Sequence, residues 1–162
     1  MSLRDLANET LSNFNPATDS ANSMDNIPAG EYDVYVDKVG YRAYESGYDC
    51  VNIMVKVATG DHMDRVELIN INVDPDNKTY VQYPSFLKRN IKLISQLAYA
   101  CGIELEDADW EDQMSLGDRF ARDAMGAQFV LNITETKNKK DPSNPYRNYE
   151  FVKYADDSEG AY

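Results

Sequence analysis

Five segments of this 162-residue chain alternate apolar and polar residues with a period of two, the pattern of strands that bury one face only. They are GEYDVYVDKV (30–39), YDCVNIMVKVA (48–58), DRVELININV (64–73), AQFVLNITE (127–135) and NYEFVKY (148–154). Tyr32, Val34 and Val36 share a face in the first, and Val51, Ile53, Val55 and Val57 in the second. In the third, Ile69, Ile71 and Val73 oppose Asn70 and Asn72, while Val66 and Leu68 leave its register open. Ala127, Phe129, Leu131 and Ile133 face inward in the fourth. Asp74-Pro75-Asp76-Asn77 breaks the third strand, and the spacing then turns helical. Phe86, Leu87, Ile91, Leu93, Ile94, Leu97, Ala98 and Cys101 mark the buried face of a helix over 85–101, capped by Gly102, and a short helix over 116–125 precedes Gly126.

Three strands, a helical insertion and two strands is the element order of a mainly β fold, a five-stranded Greek-key barrel of the oligonucleotide-binding (OB-fold) type with a helix between strands 3 and 4. Other α+β folds share that order. The barrel occupies 27–154. Before it, residues 1–26 supply a short amphipathic helix (Leu3, Leu6, Ala7, Leu11, Phe14), expected to dock on the body or on a partner, and a linker rich in Ser, Asn, Asp and Pro. An acidic tail, 155–162, follows.

A hydrophobic share of 43% with 27% charged residues excludes a wholly disordered chain, a collagen and a coiled coil. Cys50 and Cys101 form at most one bridge, and no apolar run is long enough for a membrane span, so a soluble, cytoplasmic protein is expected. Sites of catalysis are wanting. His62, the sole histidine, lies in a turn, and the chain lacks Cys-x-x-Cys, a Gly-rich phosphate loop and Gly-x-Ser-x-Gly. Asp74-Pro75-Asp76 with Asn77 lacks the later Gly and Glu of a calcium loop. A protein that is not an enzyme, with no metal and no cofactor, is the expectation.

The net charge of −12 argues against a uniformly basic coat, but the charge is segregated. Residues 102–126 hold eight acids against two bases, whereas 127–154 hold five bases against three acids. Between strands four and five the chain reads TKNKKDPSNPYR, with Lys137, Lys139, Lys140, Tyr146 and Arg147. Between strands one and two it reads GYRAYESGYD, with Tyr41, Arg42, Tyr44 and Tyr48. In an OB-type barrel these loops flank the binding face. Cations neutralise phosphates and exposed rings stack on bases, so the two loops are expected to converge as a clamp on a single strand, over a floor of Asn52 and Lys56. A third cluster, Tyr80 to Tyr83 with Lys88, Arg89 and Lys92, opens the long helix. There Phe86 is expected in the core, and the three cations read equally as the helix's wet face.

IPAGEYDVYVDKV (27–39), FLKRNIKLISQLAYACGI (86–103), GAQFVLNITE (126–135) and YRNYEFVKY (146–154) together resemble phage and prophage single-stranded-DNA-binding proteins of Gram-positive hosts, including a family long labelled only as of unknown function. The resemblance implies an OB-fold that coats single-stranded DNA in phage replication or recombination, and a homo-oligomer. It also implies a tail whose Asp156, Asp157 and Glu159 contact replication or recombination proteins; the ending Gly160-Ala161-Tyr162 departs from the acidic tip with Pro-Phe that bacterial members use. The rival from another class is an acidic protein-interaction module, an anti-host or assembly factor that uses 102–126 against a basic partner. A nuclease acting through Asp74 and Asp76 is the weakest alternative.

Overall fold

The computed structural model describes residues 2–12, 15–17, 27–143 and 145–154. Five strands, β1 (Gly30–Ala43), β2 (Asp49–Val57), β3 (Val66–Ile71), β4 (Gln128–Thr136) and β5 (Tyr146–Val152), form one antiparallel sheet in the order β3-β2-β1-β4-β5. The helices are α1 (Leu3–Leu11), α2 (Lys78–Gln82), α3 (Pro84–Ala100) and α4 (Gln113–Asp123), with a 3-10 turn over Asp107–Glu111. All but α1 lie between β3 and β4 in the chain.

β1 curls the sheet. Its first half, Gly30 to Tyr35, pairs with β4, and Val34 to Ala43 pairs with β2 across a bulge between Val36 and Lys38. A bulge adds local twist, and one strand serving two neighbours in turn bends the sheet toward a barrel. No backbone ladder joins β3 to β5 among the described residues, so the sheet stays open. Side chains bridge the seam instead, from Arg147 and Tyr149 on β5 to Glu67 on β3.

The inward faces of β1, β2, β3 and β4 are as the alternation predicts, with Val34, Val36, Val51, Ile53, Val55, Val57, Ile69, Ile71, Phe129, Leu131 and Ile133 all buried. Ile27 joins them in the core. Phe129 and Phe151 meet edge to face at 5.5 Å. α4 adds Leu116 and Phe120, with Ala124 at its C-cap, and α3 adds Ile94, Leu97, Ala98 and Ala100. The end of α3 is a Schellman turn: Gly102, at φ +73°, donates to the Tyr99 carbonyl and Ile103 to that of Ala98.

Several expectations need correction. β1 runs on to Ala43 rather than stopping at 39, and β5 starts at Tyr146 rather than 148. α2 was not foreseen. The buried residues of α3 all lie in its C-terminal half; Leu87 packs on the core from the first turns, while Phe86 (39%) and Ile91 (40%) are exposed, on the sides of the helix turned from it. No residue of α1 is buried, so it is not docked on the described body. Its start is fixed by its own capping box, in which the Ser2 hydroxyl accepts from the Asp5 amide and the Asp5 carboxylate accepts from the Ser2 amide. No helix among the described residues is long and apolar enough to cross a membrane.

Candidate nucleic-acid interface

Alternation that buries Val39, Ile53 and Ile69 turns their neighbours outward. Across β1, β2 and β3 the outward rows read Lys38, Met54, Leu68 and then Gly40, Asn52, Asn70. Arg42 extends this face at one end. Lys56, between Tyr35 and Val66, extends it at the other. Three cations and no carboxylate occupy these positions, although Asp37 sits in the neighbouring bulge. In a chain of net charge −12 these positions hold a local excess of positive charge. Leu68 is 48% exposed at its centre.

The connection from β1 to β2 places two rings at the edge of that face. The Tyr44 amide donates to the Tyr48 carbonyl at 2.8 Å and the Gly47 amide to the Tyr44 carbonyl at 3.0 Å; Gly47, at φ +92°, supplies the left-handed residue the turn requires. The Tyr44 and Tyr48 rings lie 5.9 Å apart, and the Arg42 guanidinium sits 4.7 Å from the Tyr44 ring centroid. Asn70 ties the group to β3, its Oδ1 accepting from the Tyr44 hydroxyl at 3.3 Å and from Asn52 Nδ2 at 2.6 Å. Burial, with the Cys50 thiol and the Tyr80 ring beside it, pushes the Tyr48 hydroxyl up to about 12, so it stays a neutral donor. Beneath lies Cys50, fully buried, its own thiol pushed up to about 11 by burial.

The remaining candidates divide. Tyr41 faces the other way: its hydroxyl donates to Asp49 Oδ2 at 2.7 Å, a bond that raises its pKa, and its backbone packs against α4. It borders a cavity of about 580 Å³ that Asp74, Asp76, Glu111 and Asp112 also line, so it does not belong with Arg42 and Tyr44. Arg147, expected as a loop cation, lies on the inward face of β5 with its guanidinium taken up by Glu67 and Glu135. Lys137, Lys139, Lys140 and Tyr146 are exposed, as a binding loop requires. Asp156, Asp157 and Glu159 lie outside the described residues.

The two hairpins do not converge as a clamp. Register places the 137–145 turn beyond the Gly30 end of β1 and the 44–48 turn beyond its Ala43 end, and no described contact joins the two tips. What they share is β3. Tyr44 reaches Asn70 and Arg147 reaches Glu67, positions about 10 Å apart at 3.3 Å per residue. The curled sheet therefore roots both hairpins on one short strand, the second through Glu67 on its buried face and the first through Asn70 on its outward face. Asn52 and Lys56 lie on that face, where a floor was expected.

Lys38, Met54, Leu68 and Asn70 were missed. The alternation already set Asn70 opposite Ile69, but only the β2–β3 register reveals Asn52 and Asn70 as partners. Among the described residues, no group of three or more His, Cys, Asp or Glu side chains is placed to hold a metal ion. No curated protein matches the chain. The profile of a family described as "Protein of unknown function (DUF669)" matches residues 13–162, which is most of its length, and the protein belongs to that DUF669 family.

Proposed function

We propose that this protein binds single-stranded DNA without sequence preference and coats it during phage replication or recombination, and that its curled sheet is an OB-type barrel. The observation that carries the reading is the Arg42–Tyr44–Tyr48 cluster, held by Asn70 beside outward positions that carry Lys38 and Lys56, with Asp37 in the neighbouring bulge. Each ring that stacks on a base is worth about 1–3 kcal/mol whatever the base, and each neutralised phosphate releases counterions. Duplex DNA hides its base faces from such rings. The element order and its resemblance to phage single-stranded-DNA-binding proteins point the same way.

The test is fluorescence anisotropy with labelled single-stranded and duplex oligonucleotides across a salt series. Binding to the single strand should weaken by about 0.7 log units per log unit of salt for each phosphate contacted. Arg42→Glu and Tyr44→Ala should each reduce it at least fivefold. Equal affinity for duplex, or no binding at low salt, overturns the proposal.

One observation favours a second reading. The cavity beside Tyr41 gathers Asp49, Asp74, Asp76, Glu111 and Asp112 next to Trp110, a surface that suits a basic protein partner. Retention of such a partner by a chain that ignores oligonucleotides would select it.

A further inference from the structure

From Lys78 to Ala100 the chain contains Lys78, Lys88, Arg89 and Lys92 and not one acidic residue, although the whole chain is strongly anionic. This stretch is α2 and α3. At their junction the Tyr83 and Phe86 rings stack on each other at 5.2 Å with 29° between their planes, and the Arg89 guanidinium lies 5.2 Å from the Phe86 ring centroid. Tyr83 is 46% exposed. Burying a large aromatic side chain is worth about 1.5–3 kcal/mol, so two rings stacked in water beside cations forgo a stabilisation that the same residues would gain in the core.

The arrangement repeats the one on the sheet, two rings and an arginine, and the two are physically continuous. The Tyr80 hydroxyl donates to the Asn72 carbonyl at 2.7 Å; Asn90 Nδ2 donates to that carbonyl at 2.9 Å and to the Tyr80 hydroxyl at 3.1 Å. These bonds pin the helix junction to the end of β3, the strand whose Asn70 holds Tyr44. On the far side Gln96 Oε1 accepts the Phe151 amide at 2.7 Å, fixing α3 along β5. Between the walls runs a groove of about 530 Å³ lined by Asn70, Arg89, Lys92 and Asn148 among others, with Glu150 the one carboxylate besides those rows' cations and amides. Asn70 belongs both to this groove and to the Tyr44 cluster. Neither Arg89 nor Lys92 has an ion pair among the described residues.

We infer that the path of the bound strand does not end on the sheet: it passes Asn70 into the groove between β3 and α3 and continues onto Tyr83 and Phe86, with Arg89 and Lys92 meeting its phosphates. The inference rests on the single-strand reading above. It adds a second stacking platform and a longer footprint. A basic, ring-bearing surface with one carboxylate, Glu150, in its lining suits a polyanion with planar bases, and the occupant is the same strand that lies on Tyr44 and Tyr48.

The test uses the full chain, a 20-nucleotide oligo(dT) and the same oligonucleotide carrying bromodeoxyuridine for photo-crosslinking. Crosslinks should map to peptides holding Tyr83 and Phe86 as well as Tyr44 and Tyr48. Arg89→Glu with Lys92→Glu, both surface changes, should cut affinity at least tenfold and lower the salt slope by about 1.4. Tyr83→Ala should cost about fivefold or more with an unchanged melting temperature. If the wild type binds while crosslinks stay within 44–48 and the double charge reversal leaves affinity and slope intact, the second platform is refuted and the single-strand reading survives. If the wild type binds no oligonucleotide, both fall.

Discussion

The guanidinium of Arg147 spans the seam that the sheet's backbone leaves open, its Nε 3.1 Å from Glu67 Oε1 and its Nη2 3.2 Å from Glu67 Oε2. Nη2 also reaches the Ile27 carbonyl at 2.9 Å, Nη1 reaches Glu135 at 2.9 Å, and the Tyr149 hydroxyl donates to Glu67 Oε1 at 2.7 Å. The side chains are 13% and 2% exposed. One residue thus holds β5, β3, β4 and the start of the body together. Removing Arg147 strands Glu67 as a buried charge without its cation, which costs about 3–5 kcal/mol, whereas removing Glu67 leaves Arg147 its second carboxylate, Glu135.

Arg147→Ala is therefore expected to lower unfolding free energy by that amount and Glu67→Ala by less, read from urea melts. Arg147→Lys should rescue little, because a single ammonium cannot bond two carboxylate oxygens and a carbonyl in one plane. Losses below about 1 kcal/mol would mean that the seam is held by something else.

Arg147 also shows where sequence reasoning stops. Its position in a basic, tyrosine-bearing loop gave it the chemistry of a phosphate contact. Extending the period of two back from Phe151 through Tyr149 puts Arg147 on the core face, and the acid that receives it, Glu67, is far away in sequence. Tyr41 misleads for the same reason: β1 continues past the bulge, so Tyr41 shares the inward face of Val39. The strand cores and the cap at Gly102 were legible because alternation and glycine chemistry are local. The pairing of Asn52 with Asn70, the exposed start of α3 and the separation of the two hairpin tips depend on sheet curvature, which no local pattern encodes.

Gly117 on α4 is the point of closest approach between helix and sheet. A Cβ there would lie 2.3 Å from the Tyr41 amide nitrogen and 2.8 Å from its Cα, and backbone cannot move aside as a flexible side chain can. Gly117→Ala should destabilise the fold by about 3 kcal/mol despite its higher helix propensity, whereas Gly126→Ala, with open space around the Cβ, pays only the strain of φ +79°. Thermal melts of the two variants separate steric overlap from backbone strain; an unchanged melt for Gly117→Ala would contradict the packing of α4 on β1.

Tyr149 links the same seam to pH. Burial, and then its bond to Glu67, pushes its hydroxyl from the ordinary 10.0 up to about 12. The folded state thus holds a proton that the unfolded chain releases earlier. The contribution is complete below pH 10 and is lost as pH rises toward about 12. Tyr149→Phe should cost about 1.5–3 kcal/mol at neutral pH, the worth of a hydrogen bond to a charged acceptor, and flatten the fall in stability across that alkaline window. An identical alkaline slope in both proteins would show that Tyr149 does not titrate with unfolding.

The lysines of the second hairpin decide which way a bound strand leaves the sheet. Lys137, Lys139 and Lys140 are exposed and their hairpin is rooted beside Glu67, whereas the Tyr44 cluster is rooted at Asn70. A strand running along β2 and β3 from Asn70 past Lys56 heads toward that root and on to those lysines; one turning under α3 at Asn70 meets the foot of the same hairpin, Thr134 and Asn148, rather than its tip. Replacing all three with Ala leaves the core untouched, so stability should hold within about 0.5 kcal/mol. The salt slope for an oligonucleotide long enough to cross the whole face should drop by about 2.1 if each lysine meets a phosphate. A slope lowered only by the Arg89 and Lys92 changes places the strand in the α3 groove alone and leaves the hairpin as a solvated loop, while a slope lowered by both sets requires a footprint that crosses β3 from end to end.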